Sequence, residues 1–394
     1  MENKYIFFFY LVIKNIFIPE NWIKPKNKDI IIYDCHLANF LLKYINKKNT
    51  FIFHNRMGNK NCDINCTLRL NFYLIFKLLK NGKLNLKNYK VELIKSINPK
   101  FIFTLIDNNS AFYHLKKKIP EAKTIIIQTA LRYGTVDFKK VNPKDKGCVD
   151  HTFVLNIKQK NIYSKYFKSK FREIGSIRSN SELKKKLIKD IDFLYIAKNA
   201  SMFEEKKIRL AYDFDFSDYF KKEVTLLKNL SKFLKKKDIK INLLAQANNP
   251  KDKIYYDKIL GSQNYNYITN YTDRSTLEIV DRSKIICGVA STLLFESLSR
   301  LNKTMIFSSI RNEKLFGSND FHLLCNLKKR GKFWSNDCTV NEIKRLFNFV
   351  NQLDEQNWAR FIKNKKYDKC MKFSKNNKVL RDYLKKIKCP IKRV

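Results

Sequence analysis

Residues 284–307, KIICGVASTLLFESLSRLNKTMIF, constrain the fold of this chain more than any other stretch. Ile285–Val289 is a short, unbroken apolar run, the pattern of a strand buried on both faces. Ala290–Thr292 turns the chain. Leu293–Arg300 follows as a helix with Leu294, Leu298 and Leu301 on one face. Asn302–Lys303 stops it, and Thr304–Phe307 begins the next strand. Such a unit belongs to a parallel sheet, whose strands need a crossover between them. It sets Ser291 and Thr292 at a helix N-terminus, at the carboxyl end of a strand. Two hydroxyls, unpaired backbone N–H groups and the helix dipole converge there, which makes an anion site suited to phosphate. Glu296 lies on the same side one turn further, where it could accept from a ribose or sugar hydroxyl. The alternative is that Ser291 or Thr292 only caps the helix. The capping-box spacing fails, because Phe295 follows Thr292 by three.

The same alternation runs along most of the chain. Tyr5–Ile13, Asp29–Tyr33, Thr50–His54, Phe101–Ile106 and Thr124–Gln128 read as strands, with helical stretches between them such as Leu70–Leu79 and Ser110–Lys118. After His151–Leu155 and Phe171–Ile174 a basic stretch, Ser181–Lys189, separates this series from a second one. That series runs through Phe193–Ala197, Ile239–Ala245 and Tyr267–Thr269 to the 284–307 unit. Strands alternating with helices imply doubly wound parallel sheets. The expected fold is α/β, with two Rossmann-like domains facing a cleft. The boundaries fall at 1–188, 189–350 and 351–394, the last segment being basic helices that pack back on the first domain. Polar residues gather at strand ends: His36 after one, Asp107, Asn108 and Asn109 after another, Gln128 and Arg132 after the next. Ligands of open α/β sheets bind at that edge.

Charge and cysteine usage narrow the partners. The 394 residues carry 80 Lys and Arg against 36 Asp and Glu, a formal charge of +44. Anionic membrane, phosphate-bearing substrates and nucleic acid all fit such a balance. No nucleic-acid-binding signature accompanies it, so no specific nucleic acid is expected. Nine cysteines at scattered spacing do not make a disulfide framework. They read as free thiols in a reducing, cytoplasmic compartment. The five histidines lack metal-ligand spacing, and Asp213–Phe214–Asp215 sits among aromatics, so no metal is expected. The longest apolar run, residues 5–13, is too short to span a bilayer.

FTLIDNNSAFYHL (103–115) followed by IIIQTALR (125–132) resembles a family of bacterial surface carbohydrate biosynthesis proteins. In that family a strand ends in Asp-Asn-Asn before an aromatic pair, and the next ends in Gln-Asn-Gly-x-Arg. Asp107, Asn108, Asn109, Phe112, Tyr113, Gln128 and Arg132 match. Thr129 and Ala130 depart from the pattern, and losing the glycine restricts backbone approach to a ligand. GSIRSN (175–180), FLYIAK (193–198), ICGVASTLLFE (286–296) and KFW (332–334) are further echoes in the same order. The resemblance implies a GT-B-like glycosyltransferase. It would move a sugar from a nucleotide-activated donor onto a surface polysaccharide or glycolipid acceptor, with the nucleotide sugar as substrate and no cofactor. The Ser291–Thr292 helix start is similar to the phosphate site of transferases that use CMP-sugars, so a CMP-linked donor is favoured.

On this reading Ser291 and Thr292 hold the phosphate, Arg178 and Lys198 neutralise it, and Glu296 holds ribose. Asp107 is the candidate base and His36 the reserve. Asn108, Asn109, Gln128 and Arg132 position sugar hydroxyls or a carboxylate. Helix capping is the competing role for Asp107. The protein would work in the cytoplasm, at the inner face of the cell membrane. A non-catalytic polyanion-binding protein and a nucleotide-sugar epimerase-like enzyme are the competing functions.

Overall fold

The computed structural model describes residues 13, 16–35, 37–53, 70–132, 138, 144–182, 187–197, 216–245, 250–269, 276–289, 291–307 and 330–392. Most of the expected strand Tyr5–Ile13, together with His36, Lys198 and Asp213–Asp215, lies outside them.

Two six-stranded, all-parallel sheets organise the chain. The first holds β1 (Ile30–Ile32), β2 (Thr50–Ile52), β3 (Phe101–Thr104), β4 (Lys123–Ile127), β5 (Gly147–Val154) and β6 (Phe167–Glu173), in the order 2-1-3-4-5-6. The second holds β7 (Ile191–Ile196), β8 (Ile241–Leu244), β9 (Tyr265–Ile268), β10 (Ser283–Val289), β11 (Thr304–Phe307) and β12 (Trp334–Ser335), in the order 9-8-7-10-11-12. Strand order reverses between β1 and β3 in one sheet and between β7 and β10 in the other. Crossover helices diverge to opposite faces at such a point and leave a crevice above the carboxyl ends. Asp107 follows β3 and Ser291 follows β10, so each lies at a reversal.

The central strands are buried on both faces. β1, β3 and β11 have no exposed residue, and β10 has only Lys284 exposed. Continuous Ile, Phe and Val runs are the sequence form of that environment. The edge strand β6 alternates instead, turning Lys168, Lys170 and Arg172 to solvent, which blunts an open edge. The expected helix Ser110–Lys118 is broken in two at His114, whose ψ of 2° leaves the helical region.

The C-terminal segment ties the halves together. Val340–Gln352 and Glu355–Asn364 are helices whose Ile343, Leu346, Phe347, Trp358 and Ile362 enter the second domain's core. The chain then crosses over, and Leu380 and Leu384 of the helix Lys378–Lys386 pack with Ile30, Ile32, Phe103 and Phe153 of the first sheet. The basic tail is thus an amphipathic helix returned to the first domain. Tyr383 hydrogen-bonds His151 Nδ1 at 2.9 Å, and Arg172 stacks over its ring.

The expectation of free thiols throughout is corrected. Cys35 and Cys370 are each disulfide-bonded, while Cys148, Cys287, Cys338 and Cys389 are free. Spacing alone could not show this, because a bridge depends on which distant segments the fold brings together. Among the described residues no helix is long and apolar enough to cross a membrane.

Gly175 makes the crossover possible. Its φ is +74°, and a Cβ there would lie 1.7 Å from the carbonyl oxygen of Lys372 on the returning chain. Gly82 has a φ of +61° with nothing within 4 Å. Gly82→Ala should therefore cost about 1 kcal/mol, the left-handed penalty alone, and Gly175→Ala roughly 2–4 kcal/mol, since the backbones must part as well. Urea unfolding of the two variants checks the contrast. Equal midpoints would refute a tight crossover.

Candidate functional site

The carboxyl edges of the two sheets meet across the cleft at the residues that the sequence singles out. Ser291 N-caps the helix Thr292–Ser299, its hydroxyl oxygen accepting from Leu293 N at 3.3 Å. Thr292 reaches the other domain, its Oγ1 accepting from Leu131 N at 3.2 Å. Leu131 itself is buried in the second domain's core, so the loop after β4 is pinned against the helix start. Each hydroxyl spends an oxygen lone pair and keeps its proton to donate. Both side chains remain partly exposed.

Glu296 is fully buried. It accepts from Ser176 Oγ at 2.5 Å, and its other oxygen pairs with the Arg178 guanidinium. Ser176 also N-caps the short helix Ile177–Ser181, accepting from Ser179 N at 3.2 Å. The carboxylate and guanidinium expected to hold ribose and phosphate therefore hold each other. A buried carboxylate is kept charged by such a partner and would be costly alone. Arg178 remains partly exposed.

Across the cleft, Asp107 is also fully buried. Arg132 grips it through Nε at 2.5 Å and Nη2 at 2.6 Å, and the Tyr163 hydroxyl donates to the same carboxylate. Tyr113 donates to the Asp107 carbonyl at 2.5 Å. Burial first, and then the charge of Asp107, push the Tyr163 phenol well above its ordinary value of 10. It stays protonated and remains a donor. Both carboxylate oxygens are thus engaged within the fold. The helix cap next to it is supplied by Asn109, whose Oδ1 accepts from Ala111 N at 3.1 Å, and not by Asp107. Asn108 is partly exposed at this edge.

Gln128 is buried and shapes the loop beside it. Its amide nitrogen donates to Ala130 O at 2.8 Å and Gln159 Oε1 at 2.7 Å, and its oxygen accepts from Leu155 N at 3.0 Å. Gln159 Oε1 accepts Arg132 N at 3.2 Å. Thr129, which replaces an Asn of the expected pattern, uses its hydroxyl on Leu105 O at 3.1 Å. The departure is absorbed by a local hydrogen bond.

The structure thus brings Ser291, Thr292, Glu296 and Arg178 to one side of the cleft and Asp107, Asn108, Asn109, Gln128 and Arg132 to the other. Sequence reasoning did not assign Tyr163, Gln159 or Ser176. It also passed over Arg300, which is buried against Asp281 and donates to Ser179 O at 3.0 Å and Glu182 O at 2.7 Å. Only Ser176 carried a signal, through the GSIRSN echo.

Known proteins share the family and the fold. Residues 125–388 match the family described as "putative O-antigen biosynthesis protein". No curated protein matches the chain. Among solved structures, a variant of the wall teichoic acid polymerase TagF is 11% identical with a TM-score of 0.50, over 98% of each chain. A second TagF variant, with CDPG, is 12% identical with the same TM-score of 0.50, over 98% of this chain and 97% of that one. The pneumococcal O-GlcNAc transferase GtfA, in complex with UDP and GlcNAc, has a TM-score of 0.45 at 10% identity. That match covers 77% of this chain and only 60% of GtfA. The two sheets, the cleft between them and the returning C-terminal helix make a GT-B fold. With more than half of its length matched, the chain belongs to this O-antigen biosynthesis protein family.

Proposed function

We propose that the protein transfers a sugar from a nucleotide-activated donor to a glycan or glycolipid acceptor in surface polysaccharide synthesis. One observation carries this reading. The helix start after β10 and the loop after β4, each at a carboxyl edge, touch through Thr292 and Leu131 at 3.2 Å. Donor and acceptor bound at those edges would meet with water excluded between them.

The donor phosphate sits at the start of the helix Thr292–Ser299, taking the hydroxyl protons of Ser291 and Thr292 and the positive end of the dipole. Arg178, fixed by Glu296, and Lys198, which follows β7 in the sequence, supply countercharge. Glu296 acts through Arg178 and Ser176 and does not reach ribose directly. Asp107 likewise orients Arg132 towards the acceptor side, where Asn108, Asn109 and Gln128 shape the pocket edge. With both Asp107 oxygens engaged, the acceptor proton goes to His36, one residue beyond Cys35. The transfer needs no metal in this scheme, since fixed dipoles and guanidinium groups meet the leaving phosphate's charge.

The CMP-sugar expected from the sequence finds no support in the comparisons, and the proposal is for a nucleotide sugar without that preference. The disulfides at Cys35 and Cys370 remove the thiol argument for a reducing compartment. A cytoplasmic site of action now rests on the donor class alone.

A thermal-shift panel of CMP, CDP, UMP, UDP and GDP, with their sugars, tests the donor site. One nucleotide at saturation should raise Tm by roughly 3–6 °C. Ser291→Ala should abolish that increment, over and above any loss of basal Tm from the missing cap. No shift with any nucleotide, alongside salt-sensitive binding of polyphosphate, would replace the transferase with a polyanion binder.

The Asp107 assignment is separable. Asp107→Asn should destabilise the fold by about 2–4 kcal/mol, because a largely buried ion pair and its hydrogen bonds are broken. The Asp107→Asn/Arg132→Met double variant should lose at least ~1 kcal/mol less than the sum of the singles. A variant at Asp107 with native stability and no turnover would instead restore it as the base.

A further inference from the structure

Large apolar side chains are exposed together in the first domain, on residues outside the candidate site. It is built by residues 16–23 and by the helix Phe72–Lys80. Trp22 stacks on Phe72 with ring centroids 4.8 Å apart, and on Phe76 at 6.1 Å. Trp22 Nε1 donates to Ile16 O at 2.8 Å, and Asn71 Nδ2 to Ile23 O at 2.9 Å. The two segments therefore form one surface. That helix is apolar nearly all round: Phe72, Leu74 and Leu78 turn inward, while Tyr73, Phe76 and Leu79 turn out. Phe17 is 85% exposed, Phe76 56% and Ile23 53%. A soluble domain of a monomer seldom leaves so many large side chains together in water.

The rim is cationic. Lys24, Lys26, Lys80 and Lys83, next to these two segments in the chain, are exposed, as is the carboxylate of Glu20. Lys77, also exposed, lies 3.4 Å from Glu92. Aromatic side chains in the centre and lysines at the edge are the composition of a surface that beds into a lipid interface, the rings below the headgroups and the ammonium groups among them. A second copy of this chain would set lysine rim against lysine rim, on a protein that carries +44 overall. Anionic headgroups answer both parts of the surface at once.

We propose that residues 16–23 and the helix Phe72–Lys80 dock the protein on an anionic lipid bilayer. This inference stands apart from the transferase reading, since it uses none of the cleft residues. If both hold, the domain that carries Asp107 and Arg132 is the one nearest the lipid.

The test is co-flotation of the full chain with vesicles of phosphatidylcholine alone or with phosphatidylglycerol added. The wild-type protein should float with the anionic vesicles and much less with the neutral ones. F76S/L79S removes two exposed side chains and should weaken partition roughly tenfold or more, with thermal unfolding unchanged. K80E/K83E should do the same on anionic vesicles only. Ile254→Ser removes an equally exposed side chain of the second domain and should have no effect. Wild-type partition by F76S/L79S would overturn the proposal, net charge alone being enough. So would indifference of the wild type to anionic vesicles together with a dimer that F76S/L79S disperses, which would make the patch a subunit interface.

Discussion

The short helix Ile177–Ser181 is the point on which both domains depend. Its backbone and charged groups are paired from two sides. Ser176 and Arg178 reach Glu296 in the second domain, while Arg300 takes the carbonyls of Ser179 and Glu182 from the same side. The returning tail supplies the rest: Ser374 N donates to Asn180 Oδ1 at 2.8 Å, and Asn377 Nδ2 to Ile177 O at 2.8 Å. Ser179 Oγ and Asn377 Oδ1 are buried without a partner among the described residues, but the charged and backbone groups named here are paired, and a geometry that broke those pairs would cost several kcal/mol. The angle between the domains, and so the width of the cleft, is set here. A hydrophobic hinge of the same size would be non-directional and would not choose one angle.

Topology explains why so few residues are available for chemistry. In a parallel sheet every strand ends on the same edge, and order reverses at one place. The first sheet brings Asp107 to that place and the second brings Ser291 and Thr292. At the opposite edges cations pair with exposed or half-buried carboxylates, Lys284 with Asp192 at 2.6 Å and Lys100 with Asp29 at 2.9 Å. The cleft holds its cations differently. Arg132 and Arg178 are each locked by a buried carboxylate. Planar guanidinium groups held in that way lose little entropy when a ligand arrives.

How much the sequence disclosed follows the range of each interaction. The strands beside the reversals were legible, because burial on both faces leaves an unbroken apolar run. Their carboxyl ends were legible for the same reason, being where the run stops and Asp107, Gln128 or Ser291 begins. The longer β5 and β6 were read short, since Gly147–Asp150 and Phe167–Lys170 are partly exposed and lack an unbroken apolar run. Partners were not legible. Tyr163 is 56 residues from Asp107 and Ser176 is 120 from Glu296, separations at which no period or spacing carries information. The buried Glu296 therefore read as a free carboxylate, and Asp107 as a free base.

Ser291 shows how the structure can dissolve an alternative that sequence leaves open. Helix cap and phosphate ligand look like rival roles for one hydroxyl. A cap uses the oxygen as acceptor, here from Leu293 N. An anion uses the proton. The first contact fixes the oxygen and, with it, the cone in which the proton can point. Thr292 repeats the arrangement with Leu131 N as its donor, so closing the two domains orients the second hydroxyl. The capped helix and the closed cleft are then the conditions under which two adjacent protons, and the dipole behind them, face the same space.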